Sequence, residues 1–212
     1  YKALAVNLSD LAAAGAIPRA FFLTIGLPAR DDAWLAGFTK GMTELSRQAG
    51  CPLLGGDTTR TAKVGDIHAP VTISITAMGE LPQSMGLTRS GARPGDDIWV
   101  SGCVGGAWAA LMHRWGKLTL DARVFPAAAL AMDRPNPRNA LGTALLSSAT
   151  ACADISDGLA QDLGHILERS GVDADVLWDA VPKHPALAAL SQEQQVEAAM
   201  SGGDDYELVF TG

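Results

Sequence analysis

What this chain lacks narrows its chemistry first. Its three cysteines, Cys51, Cys103 and Cys152, are odd in number, widely spaced and without a C-x-x-C pair. They offer neither a disulfide framework nor a zinc site, and they read as reduced, small core residues of a cytosolic protein. Basic runs are missing too. Sixteen Lys and Arg stand against 23 Asp and Glu, a net charge of −7, so no nucleic-acid partner is expected. The longest charge-free stretches, 98–112 and 139–153, fall short of the ~20 residues a membrane span needs, so no membrane partner is expected either. No charged-then-apolar signal opens the chain, and Tyr rather than Met at position 1 places the native start upstream as an expectation. There is no G-x-x-x-x-G-K-[ST] loop, no G-x-G-x-x-G fingerprint and no regular repeat period. His68, His113, His165 and His184 show no metal-ligand spacing, and no Ser-His-Asp or Cys-His set stands out, so no covalent protein nucleophile is expected.

What is present is a globular chain of 212 residues, 48% hydrophobic, enough for one large or two small domains. Its most informative stretch is Ala153-Asp154-Ile155-Ser156-Asp157-Gly158-Leu159. An apolar run reaches two aspartates three residues apart and then turns into a helical pattern, Leu159, Leu163, Ile166 and Leu167. A strand, an acidic turn and a helix start form the place where a parallel α/β protein holds its ligands. Free N–H groups at such a helix start can hold a phosphate, and two carboxylates beside it would repel it unless hard cations such as Mg²⁺ sit between. The plainer alternative is that Ser156 or Asp157 only caps the helix.

Taken from its start, the chain predicts a helix over 1–14 closed by Gly15, a strand over 20–27, and a helix from Asp31 or Asp32 to Ala49. Trp34, Leu35, Phe38, Met42 and Leu45 form the apolar face of that second helix and are assigned to the core. A short strand then runs into a Gly55-Gly56-Asp57 turn, residues 61–68 read as a flexible loop, and 70–79 alternates as a half-buried strand. Residues 79–97, rich in Gly, Pro and charge, mark a domain junction. Further strands are expected at 98–101 and 172–178, with helices at 107–115, 125–132, 140–147 and 192–200. Arg134 and Arg138 flank an extended link and either face a phosphate or lie in solvent. Gly-Gly-Asp recurs at 202–204, leading into a final strand. Acidic turns thus stand at four element ends, which favours a metal–phosphate site over four unrelated caps.

Five stretches, in order along the chain, resemble the thiamine-monophosphate kinase family: 1–16 (YKALAVNLSDLAAAGA), 55–59 (GGDTT), 87–92 (LTRSGA), 153–159 (ADISDGL) and 201–208 (SGGDDYEL). The resemblance implies an α/β (α+β) chain with the two-domain fold of the aminoimidazole ribonucleotide synthetase superfamily, truncated in its N-terminal part. Residues 1–88 would form an ATP- and metal-binding, dimerising domain incomplete at its start, and 89–212 an α/β domain incomplete at its end. It implies a cytoplasmic homodimer whose N-terminal strands build a shared barrel. The implied activity is transfer of the ATP γ-phosphoryl group onto thiamine monophosphate, giving thiamine diphosphate, with several Mg²⁺ ions as cofactor. By the same resemblance Asp10, Asp57, Asp154 and Asp157 match metal ligands. Gly56, Asp57, Arg89 and Ser156 match nucleotide contacts, and Asp204 matches a contact to the thiamine substrate, where the family usually has Glu. The family's further N-terminal aspartates and a C-terminal aromatic lie outside these 212 residues. The alternatives are another ATP-dependent enzyme of the superfamily, or a noncatalytic member that binds Mg-nucleotide without turnover.

Overall fold

A computed structural model describes residues 1–65, 67–82 and 85–212. The first helix, α1 (Lys2–Ala13), buries Leu4, Ala5, Leu8, Ser9 and Ala12 along one stripe. It ends where Gly15, at φ +72°, lets Ala16 N–H reach back to Leu11 C=O at 2.8 Å, a left-handed closure suited to glycine. Strand β1 (Ile17–Leu27) follows, then α2 (Asp32–Gln48), whose N-cap Asp31 accepts the Trp34 N–H at 3.0 Å. Strand β2 (Leu53–Arg60) pairs parallel with β1, and β5 (Thr72–Glu80) pairs antiparallel on its other side, giving the order β2-β1-β5. Phe21 at the centre of β1 is fully buried against α1 and α2 residues Leu4, Leu8, Met42 and Leu45.

Two expectations change here. Residues 61–68 are not simply loop: β3 (Lys63–Val64) and β4 (Ile67–His68) form a small antiparallel ladder. The face of α2 is also less buried than its periodicity suggests. Met42 and Leu45 enter the core, but Trp34 is exposed and stacks on Phe38 at 5.2 Å near the start of the helix.

The second half carries β6 (Ile98–Val100), α3 (Gly106–Arg114), α4 (Phe125–Asp133), α5 (Asn139–Leu145), β7 (Ala151–Asp154), α6 (Leu159–Ser170), α7 (Gln192–Val196) and β8 (Leu208–Thr211). Its sheet has the order β6-β8-β7 and is antiparallel throughout, so the acidic turn after β7 does not belong to a parallel crossover as expected. Residues 172–177 pair with no strand among the described residues and lead into a 3₁₀ turn, Trp178–Ala180. The helix expected over 192–200 is a short α7, opened by a Ser191–Gln194 capping box, which widens into a π turn, Glu197–Ser201. The main core of this half packs α3 and α6 against β7 and β8 through Ala110, Ile155, Leu163, Ile166 and Val209. A third cluster ties the halves together: Ala12 of α1 meets Leu145, Cys152 and Leu208. Asn139 Nδ2 adds a hydrogen bond to Leu8 C=O at 2.8 Å. Cys51 and Cys152 are buried as expected, whereas Cys103 is exposed.

Candidate active site

The seam between α1 and the second sheet is where the acidic residues meet. Asp10 leaves the C-terminal half of α1 and Asp154 ends β7, the one exposed and the other almost wholly buried. Their charges interact. Although Asp10 is exposed as a residue, the packing around its carboxyl partly desolvates it and raises its pKa, Asp154 raises it further, and the Arg89 guanidinium opposes both. Burial likewise raises the Asp154 pKa, with Asp157 adding to the rise and Ser9 and Arg89 pulling the other way. Asp10, Asp154, Asp157 and Arg89 therefore form one electrostatic group, drawn from α1, β7, the turn after it and the 87–92 loop.

Every side-chain ligand that this group offers is an oxygen. Ser9 lies on the buried stripe of α1, and its hydroxyl sits beside Asp154 close enough to favour the charged carboxylate. It still forms no hydrogen bond of good geometry, so a buried polar atom is left over at the site. Among the described residues no three His, Cys, Asp or Glu side chains converge into a ready-made metal cage. That donor set fits Mg²⁺ held by one or two carboxylates together with substrate phosphates, and suits neither zinc nor a dedicated all-protein cage.

One expectation about the turn after β7 needs correction. Gly158, at φ +116°, is the N-cap of α6, so neither Ser156 nor Asp157 caps it. Two of the N–H groups just before the cap are also committed within the protein. Those of Ser156 and Asp157 are donated, at 2.9 and 3.0 Å, to Asp162 Oδ2 from the first turn of α6. Asp157 keeps an exposed carboxylate that accepts from Gln161 Nε2 at 3.1 Å.

The second Gly-Gly-Asp stretch packs backbone to backbone against this turn. Asp204 N–H donates to Ser156 C=O and Tyr206 N–H to Ile155 C=O, each at 2.8 Å. A Cβ on Gly203 would stand 2.5 Å from Ser156 O, and one on Gly158 would stand 2.7 Å from Met200 O. Asp204 and Tyr206 themselves hold positive φ, +65° and +53°, the strained backbone that tends to cluster at functional sites. The Asp204 side chain pairs with Lys2 of α1, whose ammonium lies 5.8 Å from the centre of the Tyr206 ring. Burial, then Asp204, Asp154 and Asp10, raise the Tyr206 pKa and keep the phenol protonated. This places Asp204 and Tyr206 against the same acidic group.

Gly56 and Asp57 do not form a turn. They continue β2, opposite Leu23 and Thr24 of β1. A Cβ on Gly56 would stand 1.7 Å from Leu23 O, so glycine is what lets the two strands run side by side. Asp57 is exposed there. Arg89 lines a cavity of about 560 Å³ with His165, Glu168 and Arg169. The loop that carries it is pinned to α6 by Ser170 Oγ, which accepts from Gly91 and Ala92 N–H at 3.2 and 3.1 Å. Arg134 and Arg138 both engage carboxylates: Arg134 pairs with Glu44 at the surface, and Arg138 clasps the largely buried Glu207 with both contacts at 2.6 Å. Among the histidines, His113 accepts the Leu120 N–H at 3.0 Å and His184 accepts the Ala186 N–H at 3.2 Å. Both are structural, and the side chain of His68 lies outside the described residues.

Sequence reasoning passed over Ser9, Lys2, Asp162 and Tyr206. For two of these a signal was present, because Ser9 and Asp162 are polar residues falling on the apolar stripes of α1 and α6.

With this geometry in hand, known proteins place the chain. Residues 1–81 match the family model described as AIR synthase related protein, N-terminal domain. The thiamine-monophosphate kinase of Salmonella typhimurium is 42% identical over 216 residues, covering all of this chain and 63% of that protein. A crystal structure of thiamine-monophosphate kinase from Stenotrophomonas maltophilia superposes with TM-score 0.90 at 42% identity, covering 99% of this chain and 66% of that one. AaThiL complexed with AMPPCP and TMP superposes with TM-score 0.87 at 29% identity, over 99% and 66% of the two chains. The architecture is thus that of the AIR synthase-related proteins, mixed in helix and strand. Within that class the chain belongs to the thiamine-monophosphate kinase family. It spans about 63% of the length of the curated relatives it matches.

Proposed function

We propose that the protein transfers the γ-phosphoryl group of ATP onto the phosphate of thiamine monophosphate, yielding thiamine diphosphate. The observation that carries this reading is the packing of α1 on β7, which sets Asp10 in the field of Asp154, and Asp154 in the fields of Asp157 and Arg89. Its strongest outside support is that a relative of the same fold, AaThiL, binds AMPPCP together with TMP.

In this reading Asp10, Asp57, Asp154 and Asp157 hold Mg²⁺, which neutralises phosphate charge on both substrates. Arg89, Gly56, Asp57 and Ser156 meet the nucleotide. Arg89 brings a guanidinium that lines the 560 Å³ cavity. Ser156 acts through its hydroxyl, since its N–H is committed to Asp162. Asp204 meets the thiamine substrate and exchanges its contact with Lys2 to do so. The acceptor phosphate is already ionised, so the protein supplies alignment and charge stabilisation rather than a strong base or a nucleophile.

Separate cores around Phe21 and around Ile166 support two units near the expected 1–88 and 89–212 boundary. Exposed Phe22, Leu53, Leu54 and Met78 on the first sheet support a homodimer that covers them. Among the described residues no helix is long and apolar enough to cross a membrane, and with the reduced cysteines this supports a cytoplasmic location.

Calorimetric titration of the full-length protein with AMPPCP, with and without Mg²⁺, tests the site assignment. Mg²⁺-dependent binding that Asp154→Asn abolishes is the expected result. Binding indifferent to both Mg²⁺ and Asp154 overturns it.

A further inference from the structure

Asp162 is the buried carboxylate that the proposed reaction leaves without a task. It is 1% exposed in the first turn of α6, and its Oδ2 accepts two consecutive backbone N–H groups, Ser156 at 2.9 Å and Asp157 at 3.0 Å. Among the described residues it has no ion pair with a Lys, Arg or His. The charges that act on it are those of Asp154 and Asp157, both acidic. Burial raises its pKa, Asp154 and Asp157 raise it further, and only the two N–H groups oppose them.

A cap alone would not demand this arrangement. Helices usually take the capping Ser, Thr, Asp or Asn at the N-cap itself, as α2 does with Asp31, whereas here the N-cap is Gly158 and the acceptor reaches back from inside the helix to N–H groups that precede the cap. What the reach achieves is orientation. With both N–H groups turned inward to one oxygen, the Ser156–Asp157 backbone is held against α6, and the Asp157 carboxylate stays exposed beside Asp154.

We propose that Asp162 is a positioning residue for the metal–phosphate site: it fixes the peptide that presents Ser156 and Asp157, and its buried negative charge strengthens the field that draws divalent cations to Asp10, Asp154 and Asp157. The proposal rests on the reading of those three carboxylates as cation ligands. Outer partners that orient metal ligands typically change affinity or activity ~10–100-fold when removed.

The test is made on the full-length protein with Asp162→Asn, which keeps the shape and one acceptor oxygen but removes the charge, and with Asp162→Glu, which keeps the charge and moves the oxygen. Mg²⁺ affinity in the presence of AMPPCP, thermal melting, and KM for Mg-ATP against kcat are measured for each. The expected result is a cooperative melt for Asp162→Asn with Mg²⁺ affinity weakened about tenfold and kcat lowered, and a smaller loss for Asp162→Glu. A folded Asp162→Asn protein with unchanged Mg²⁺ affinity overturns the proposal, because a purely structural role moves the melt alone. Should the Asn variant fail to fold, Asp162→Glu decides: weakened Mg²⁺ affinity supports the role and wild-type affinity overturns it. Wild-type protein that binds no Mg²⁺ with AMPPCP overturns the functional reading and this proposal together, whereas wild-type binding with indifferent variants overturns this one alone.

Discussion

Asp205 grips Gly105: both oxygens of its buried carboxylate accept the Gly105 N–H, at 2.9 and 3.0 Å. The bond ties the loop carrying Asp204 and Tyr206 to the turn that starts α3, where Gly105 takes φ +87°. Its cost is a charge in a nearly dry place. Burial, with Glu207 and Asp204 nearby, raises the Asp205 pKa to about 7, although the N–H bonds oppose the rise.

That shift sets a pH dependence. A carboxyl whose folded pKa lies above its unfolded value favours the folded state most when protonated. Its stabilising contribution is therefore complete below pH ~4 and is lost as pH rises towards about 7. Asp205→Asn keeps an acceptor for Gly105 and removes this loss. Urea unfolding should find the variant more stable than the parent at pH 8, with the advantage shrinking by pH 5. A difference independent of pH would contradict this.

Gly203 and Gly158 are where the two acidic turns touch, and neither tolerates a side chain. Gly203→Ala adds a methyl 2.5 Å from Ser156 O at a backbone φ of +63°. The left-handed conformation alone costs ~1–2 kcal/mol for an L residue, and the clash adds to it. Chemical denaturation should show a loss of about 2 kcal/mol or more.

Arg138 and Glu207 form a two-pronged ion pair, with Glu207 only 13% exposed and also bonded to Ser101. Arg138→Ala leaves that carboxylate largely buried and without its cation, so stability should fall by ~2–3 kcal/mol. Arg123→Ala, which breaks a solvent-exposed pair with Asp121, should leave it almost unchanged. Equal losses in the two variants would contradict the burial argument.

Asp157→Asn removes a charge and almost no volume from an exposed position. Turnover should fall by on the order of 100-fold while the melting temperature stays within a few degrees of the parent. Unchanged turnover would remove Asp157 from the metal site.

Much of this was legible in the sequence because local rules govern it. The apolar stripes of α1 and α6, the Asp31 cap, the Gly15 closure and the strand β5 all follow from neighbours within a few residues, although β5 is more exposed than its alternation predicts, with only Ile75 and Ala77 partly covered. The site was legible as a set of acidic turns, but their assembly was not. Asp10 and Asp154 are 144 residues apart, and what joins them is the packing of Ala12 on Cys152 and Leu208, which no local pattern records. Gly55-Gly56-Asp57 reads as a turn in isolation and becomes strand because β1 lies alongside it. Residues 172–177 show the opposite case, a strand-like run with no ladder partner among the described residues. Asp162 escaped notice because its partners are backbone N–H groups, which carry no side-chain signature.

The most direct measurement is made on the full-length protein: incubation with ATP and Mg²⁺ plus thiamine monophosphate, with free thiamine as the control acceptor, and chromatography for product. The account predicts thiamine diphosphate from the monophosphate only, and only with Mg²⁺. Mg-ATP binding without thiamine diphosphate from either acceptor would contradict it and point to a family member that has another acceptor or has lost the reaction.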